Sequence, residues 1–190
     1  RETLLMWLFL ALSCALLVGI ADILSKFALQ KSRATFVGLS RILFALPILG
    51  GVAYFQGIPT LPYSFWLTVF VMLPFEVSAY LLYLHAIQIA PLSLTIPFLV
   101  LTPVFTIVTS WVLLRESVTF LGAFGILTIA VGAYLLHLGD TSAGWLAPLR
   151  SIFRERGTRL MILVAFLYSI TSNLSKRAVQ LSDPFSFAFL

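Results

Sequence analysis

The sequence predicts an all-α, polytopic membrane protein, and three observations carry that expectation. Of its 190 residues 61% are hydrophobic and only 10% are charged, against about 45–50% and about 25% in a soluble domain. The apolar residues come in runs of about 20, the length a helix needs to cross the hydrocarbon core. No soluble domain of this size could bury so much apolar surface, and a disordered chain needs the opposite composition. The helix is the form that satisfies the backbone of an unclosed chain inside a bilayer.

Six runs qualify, in order Leu4–Leu24, Phe36–Phe55, Phe65–His85, Leu92–Leu114, Val118–Leu138 and Leu160–Ser175. A seventh begins near Phe185. The first is long enough to span and lacks the small-residue pattern of a cleavable leader. Gln56-Gly57-Ile58-Pro59 closes the second run, Ala90-Pro91 parts the third from the fourth, and Arg115-Glu116-Ser117 parts the fourth from the fifth. These are tight turns between antiparallel helices. In the fourth run Pro97 and Pro103 predict a kink, and Thr95, Thr102, Thr106 and Thr109 form a stripe whose hydroxyls bond back to the helix. Gly122, Gly125 and Gly132 in the fifth run permit close backbone approach, the pattern of a scaffold helix. The longest connection, Gly139 to Arg159, holds Arg150, Arg154, Arg156 and Arg159. Its Trp145, Leu146, Leu149, Ile152 and Phe153 recur at helical spacing, which predicts a short helix lying in the interface. The chain starts at Arg1 and stops at Phe189-Leu190 inside an apolar run, and so reads as part of a longer protein.

An internal repeat organises these spans. Leu24-Ser25-Lys26-Phe27-Ala28-Leu29-Gln30-Lys31-Ser32 and Leu174-Ser175-Lys176-Arg177-Ala178-Val179-Gln180-Leu181-Ser182 agree at six of nine positions, 150 residues apart. Five spans fill that period, and five is odd, so the second copy enters the membrane from the opposite side. The prediction is a five-helix inverted repeat, the plan of many secondary transporters. This chain holds the first module (1–138), a basic connecting segment (139–159) and the start of a second, truncated module (160–190).

The net charge of +5 fits loop-borne basic residues rather than nucleic-acid binding. Lys31, Arg33, Arg150, Arg154, Arg156 and Arg159 fall on one side; Arg1, Arg115, Lys176 and Arg177 fall on the other. The count puts the long basic connection in the cytoplasm. The single cysteine, Cys14, is read as an apolar filler.

Charged side chains inside spans mark the candidate site, because each costs about 2.5–3.5 kcal/mol on insertion scales. Asp22 and Lys26 share a helix face, with Gly19 one turn earlier. They are either an internal ion pair or a polar patch on a cavity. Ser172 stands at the repeat position of Asp22, so Lys176 either snorkels to the interface or joins Lys26 in drawing an anionic group. Arg41, two turns inside the second span, carries the same choice. Glu76 lies deepest, with Tyr80 and Tyr83 on its face at i+4 and i+7. It is either a protonated acid tying helices together or a group that exchanges protons. His85, near the end of that span, reads as structural. No metal-ligand spacing, nucleophile elbow or phosphate loop occurs, so neither an enzyme nor a bound cofactor is expected.

Ala86 to Ser93, Leu101-Thr102-Pro103, Leu114-Arg115-Glu116 and the glycines of the fifth span together resemble the EamA-type module of the drug/metabolite transporter superfamily. Arg41 and Lys26 also match its usual pattern. Arg115 departs from it, standing where the family has glycine, while Glu116, a hairpin residue in this reading, is kept. The resemblance implies ten helices in two inverted halves around a central cavity. It also implies a secondary transporter of small amino acid-like, metabolite or drug-like compounds. The expected partners are a small-molecule substrate, the lipid bilayer, protons, and the remaining helices of the second module or a second copy. Export by alternating access in a bacterial cytoplasmic membrane follows from the same likeness. The family's orientation puts both termini in the cytoplasm, opposite to the loop-charge count. The competing classes are a membrane-embedded enzyme acting on a lipid or lipid-linked substrate and a non-transporting scaffold.

Overall fold

The computed structural model describes residues 2–56, 60–139, 155–182 and 187. The turn at 57–59, the expected interfacial helix within 140–154 and the seventh run near Phe185 lie outside them. The described residues are helical and hold no strand. The helices are α1 (Glu2–Leu29), α2 (Ala34–Gln56), α3 (Tyr63–Ile89), α4 (Leu92–Thr95), α5 (Leu101–Leu114), α6 (Phe120–Gly139) and α7 (Arg156–Leu181). A 3-10 segment, Ile96–Val100, joins α4 to α5. Five of the resulting spans are long and apolar enough to cross a membrane, with Leu92–Leu114 counted as one. The protein is therefore an integral, multi-pass membrane protein.

Most helices run past the apolar boundaries expected for them. The first was expected to stop at Leu24, yet α1 continues to Leu29. Its polar last turn is held by another helix: Gln88 of α3 donates its side-chain amide to the carbonyls of Leu29 and Ser32, each at 3.2 Å. The fourth span breaks where the prolines predicted a kink, but it does so by tightening into a 3-10 turn beginning around Pro97.

Hydroxyls within the spans bond to carbonyls of their own helices. Ser13 donates to Phe9, Ser40 to Phe36, Thr68 to Ser64 and Thr128 to Phe124, all at 2.8–2.9 Å. Thr95, Thr106 and Thr109 do the same in the threonine stripe. A hydroxyl facing hydrocarbon has no water to bond, so the preceding turn's carbonyl satisfies it.

The best-buried packing is between α3 and α7. Tyr83, Leu84, Ala86 and Ile87 of α3 meet Met161 and Val164 of α7, with Leu29 of α1 and Val37 of α2 closing the cluster. Two glycines allow the closest approaches. A methyl at Gly38 would stand 3.0 Å from Leu84 and 3.1 Å from Tyr80, and one at Gly157 would overlap the Ala90 side chain. The fifth-span glycines do not play that part here: Gly125 and Gly132 meet no neighbour within 4 Å among the described residues. Among the described residues, the helix carrying them, α6, packs mainly against α5 and the 3-10 segment.

Arg115 caps α5 in the left-handed conformation, φ 57° and ψ 24°. That is the conformation for which helix ends recruit glycine, so the departure from the usual glycine is strained rather than a different turn. Arg115→Gly is expected to stabilise the protein by about 1 kcal/mol, read as a raised unfolding midpoint in detergent. An unchanged or lowered midpoint would contradict this.

The helices alternate in direction, so the repeated segments lie at opposite ends of the bundle. Lys26 meets the C-terminal end of α3, whereas Lys176 meets Glu116 in the α5–α6 connection. Cysteines placed at Gln30 and Gln180 are expected to react with an impermeant thiol reagent from opposite faces of sealed vesicles. Labelling from the same face would contradict the arrangement.

Candidate functional site

The candidate site gathers where α1, α2, α3 and α7 face one another. Asp22 stands seven residues from the C-terminal end of α1 and Arg41 seven residues from the start of α2. At 1.5 Å per residue each is about 10 Å inside its helix. They pair: the Arg41 guanidinium lies 3.6 Å from the Asp22 carboxylate and donates to the Ser25 hydroxyl at 3.3 Å. Asp22 is nearly buried, its side chain 11% exposed, while that of Arg41 is 33% exposed. The alternative of an Asp22–Lys26 pair is not what forms. Arg41 takes the carboxylate because its long side chain reaches across from α2.

Lys26 points the other way. Its ammonium donates to the carbonyls of Ile87, Gln88 and Ala90, the last at 2.8 Å. Those carbonyls end α3 and have no partner in their own helix, and a cation there also complements the helix dipole. Three donors meet three acceptors, so Lys26 caps α3 while Gln88 returns the favour to α1. Lys176 is exposed and pairs with Glu116. It lies at the opposite end of the bundle from Lys26, away from the Asp22–Arg41 pair.

Glu76 stands thirteen residues from either end of Tyr63–Ile89, which puts it about 20 Å from each end of α3. It is half-buried. No cation lies within 4 Å of it among the described residues, whereas Asp22 and Glu116 each have one. Tyr80 and Tyr83 follow it toward the Asp22–Arg41 pair, and both lie within electrostatic reach of that pair. Tyr83 is buried and lies beside Asp22.

Tyr168 is the residue that sequence reasoning missed. It lies on α7 within electrostatic reach of Glu76, Tyr80, Asp22 and Arg41, and so links the midpoint acid to the ion pair. A signal for it existed: Tyr168 precedes Ser172, the repeat position of Asp22, by one helical turn. A second polar contact, between α5 and α7, was also missed. Asn173 donates to the Thr109 hydroxyl and to the Ser169 carbonyl, both at 2.9 Å. Such a bond between helices holds them together in hydrocarbon.

A groove of about 520 Å³ opens between α1 and α2 beside the ion pair, with Ser25, Ser32, Ser40 and Arg41 on a wall otherwise made by apolar side chains such as Phe44. The assembly thus offers one cation, one paired acid, one unpaired acid and three phenols along a path from the middle of the bundle toward one end. It can bind a small polar molecule and can hold a proton. Among the described residues no cluster of metal-ligating side chains occurs.

The EamA-like transporter family matches residues 5–138, which takes in α1 to α6 nearly whole. No curated protein and no solved structure matches the chain. With the family matched over well more than half its length, the chain belongs to the EamA-like transporters, a membrane transporter family of the drug/metabolite transporter superfamily.

Proposed function

We propose that the protein moves small polar or amphipathic metabolites by alternating access, as a proton-coupled exporter in a bacterial cytoplasmic membrane. Asp22, Arg41, Glu76, Tyr80, Tyr83 and Tyr168 form the substrate and proton site. Lys26 borders it by fixing α1 against α3, and Lys176 plays the related part at the opposite end. The working unit is two inverted five-helix modules, of which α7 begins the second. The sequence repeat and the opposite-end positions of Lys26 and Lys176 support that plan.

One observation carries the reading: Glu76 is an acid at the midpoint of a spanning helix without a cation beside it among the described residues. A residue this costly to insert is by default a functional one. The Asp22–Arg41 pair can open to a zwitterionic or anionic solute, with Arg41 taking the negative group in fork geometry. The tyrosines supply flat apolar faces with a hydroxyl at one edge.

The test is solute flux in proteoliposomes of the full-length protein, with internal pH followed at the same time. The expected result is solute movement accompanied by protons in the opposite direction. Solute-independent behaviour across a broad panel of amino acids, organic acids and drug-like amines would favour a scaffold. Turnover of a lipid-linked compound would favour an enzyme.

A further inference from the structure

A second cavity lies apart from the polar cluster, where α3 ends and α7 begins. Its volume is about 780 Å³. Ile89, the last residue of α3, and Arg156, the first of α7, both line it, so it sits where the helices leave the hydrocarbon. The rim is cationic: Arg156 and Arg159 stand one turn apart on α7, and His85 faces them from α3. No carboxylate lies within 4 Å of either arginine among the described residues. Glu155 shares the rim but makes no side-chain bond to the first turn of α7, so among the described residues its carboxylate does not cap that turn's N–H groups. Gly157 seats the turn tightly against Ala90 and Thr95, which fixes where the two arginines stand.

The wall beneath is apolar. Leu160, Ile89 and Leu163 line it, and the last two are each 45% exposed on the helix surface. A cationic rim at the interface above an apolar wall is complementary to an amphipathic anion. We propose that this cleft binds an anionic phospholipid, its phosphate held by Arg156, Arg159 and His85 and its acyl chains lying along Ile89, Leu160 and Leu163. Arginine suits the task because its planar fork meets two phosphate oxygens at once. The apolar wall is the feature that selects a lipid over free phosphate, since a small hydrated anion gains nothing from Leu163. Basic pockets between spanning helices on the anionic leaflet hold headgroups in this way. The site would anchor the start of α7 to α3, independently of any solute bound at Glu76.

The experiment is native mass spectrometry of the full chain in detergent, with phosphatidylglycerol and phosphatidylcholine of the same acyl composition supplied together. The expected result is selective retention of phosphatidylglycerol, weakened by added salt. Two interfacial charges at about 1 kcal/mol each make the Arg156→Gln/Arg159→Gln variant bind about 30-fold more weakly, with Arg156→Lys/Arg159→Lys between the two. Equal retention of both lipids by the wild type would overturn the proposal without needing any variant. So would undiminished phosphatidylglycerol retention by the glutamine variant. In a parallel thermal-denaturation series, inorganic phosphate is expected to leave the wild type unshifted while phosphatidylglycerol raises its midpoint. An equal shift from inorganic phosphate would mark a free-anion site and overturn the lipid assignment.

Discussion

Glu76→Gln is expected to fold like the wild type, to lose proton-driven transport altogether, and to keep downhill solute exchange. Glutamine preserves the shape of the side chain and can still accept and donate hydrogen bonds, but it cannot take up or release a proton. At the midpoint of α3, with no cation beside it among the described residues, the Glu76 carboxylate is stable only while water reaches it. In the proposed alternating-access cycle, a cavity that opens first to one face and then to the other would change that access in each half-cycle. In that cycle the acid would release a proton in one state and take one up in the next, which would couple proton movement to the conformational change. The measurement is solute-driven proton flux alongside solute–solute counterflow in the same proteoliposomes. Proton flux at the level of empty liposomes with counterflow retained is the expected pair. Undiminished coupling in the variant would remove Glu76 from the mechanism, and a variant that no longer folds would make it a structural tie.

The Asp22–Arg41 pair is expected to behave asymmetrically. Asp22→Asn leaves a guanidinium that cannot shed its charge, whereas Arg41→Gln leaves a carboxyl that can take up a proton. Asp22→Asn is therefore the more damaging single change. Breaking a fully buried pair costs about 3–5 kcal/mol, but the Arg41 side chain is 33% exposed, and partial solvent access brings the expectation down to about 2 kcal/mol. The double variant Asp22→Asn/Arg41→Gln removes both charges and is expected to regain most of the lost stability, because neither partner is then stranded. It is not expected to regain transport, since the guanidinium proposed to take the solute's negative group is gone. Detergent unfolding midpoints and counterflow rates on the three variants check this. Additive stability losses would mean that the two side chains act independently, against the 3.6 Å contact.

The spans were legible in the sequence because hydropathy reports directly on bilayer insertion. Their ends were not. α1 runs to Leu29, where the Gln88 amide donates to its last carbonyl and to that of Ser32 just beyond, and Lys26 caps α3 in return, through contacts 56–64 positions apart in sequence. Periodicity along one helix carries no information about a partner on another. For the same reason Lys26, four residues away, stood as one of two readings for Asp22's surroundings, when its cation is Arg41 on the next helix. The polar face of Glu76, Tyr80 and Tyr83 was legible because it lies on a single helix. Tyr168 completes it from α7 and was detectable only through the 150-residue repeat. The fifth-span glycines show what a helix permits and not what packs there: among the described residues Gly125 and Gly132 meet no neighbour within 4 Å.

The central claim is that water reaches the cluster around Glu76 from each face of the membrane in turn. Tyr80 is half-buried within that cluster, and the native Cys14 is exposed, so the probe is Tyr80→Cys on a Cys14→Ser background. The full-length variant is placed in oriented vesicles, and an impermeant thiol reagent is applied to each face in turn under opposite pH gradients. The account predicts labelling from one face under one gradient and from the other face when the gradient is reversed. Labelling from neither face, or from the same face at the same rate under both gradients, would contradict it.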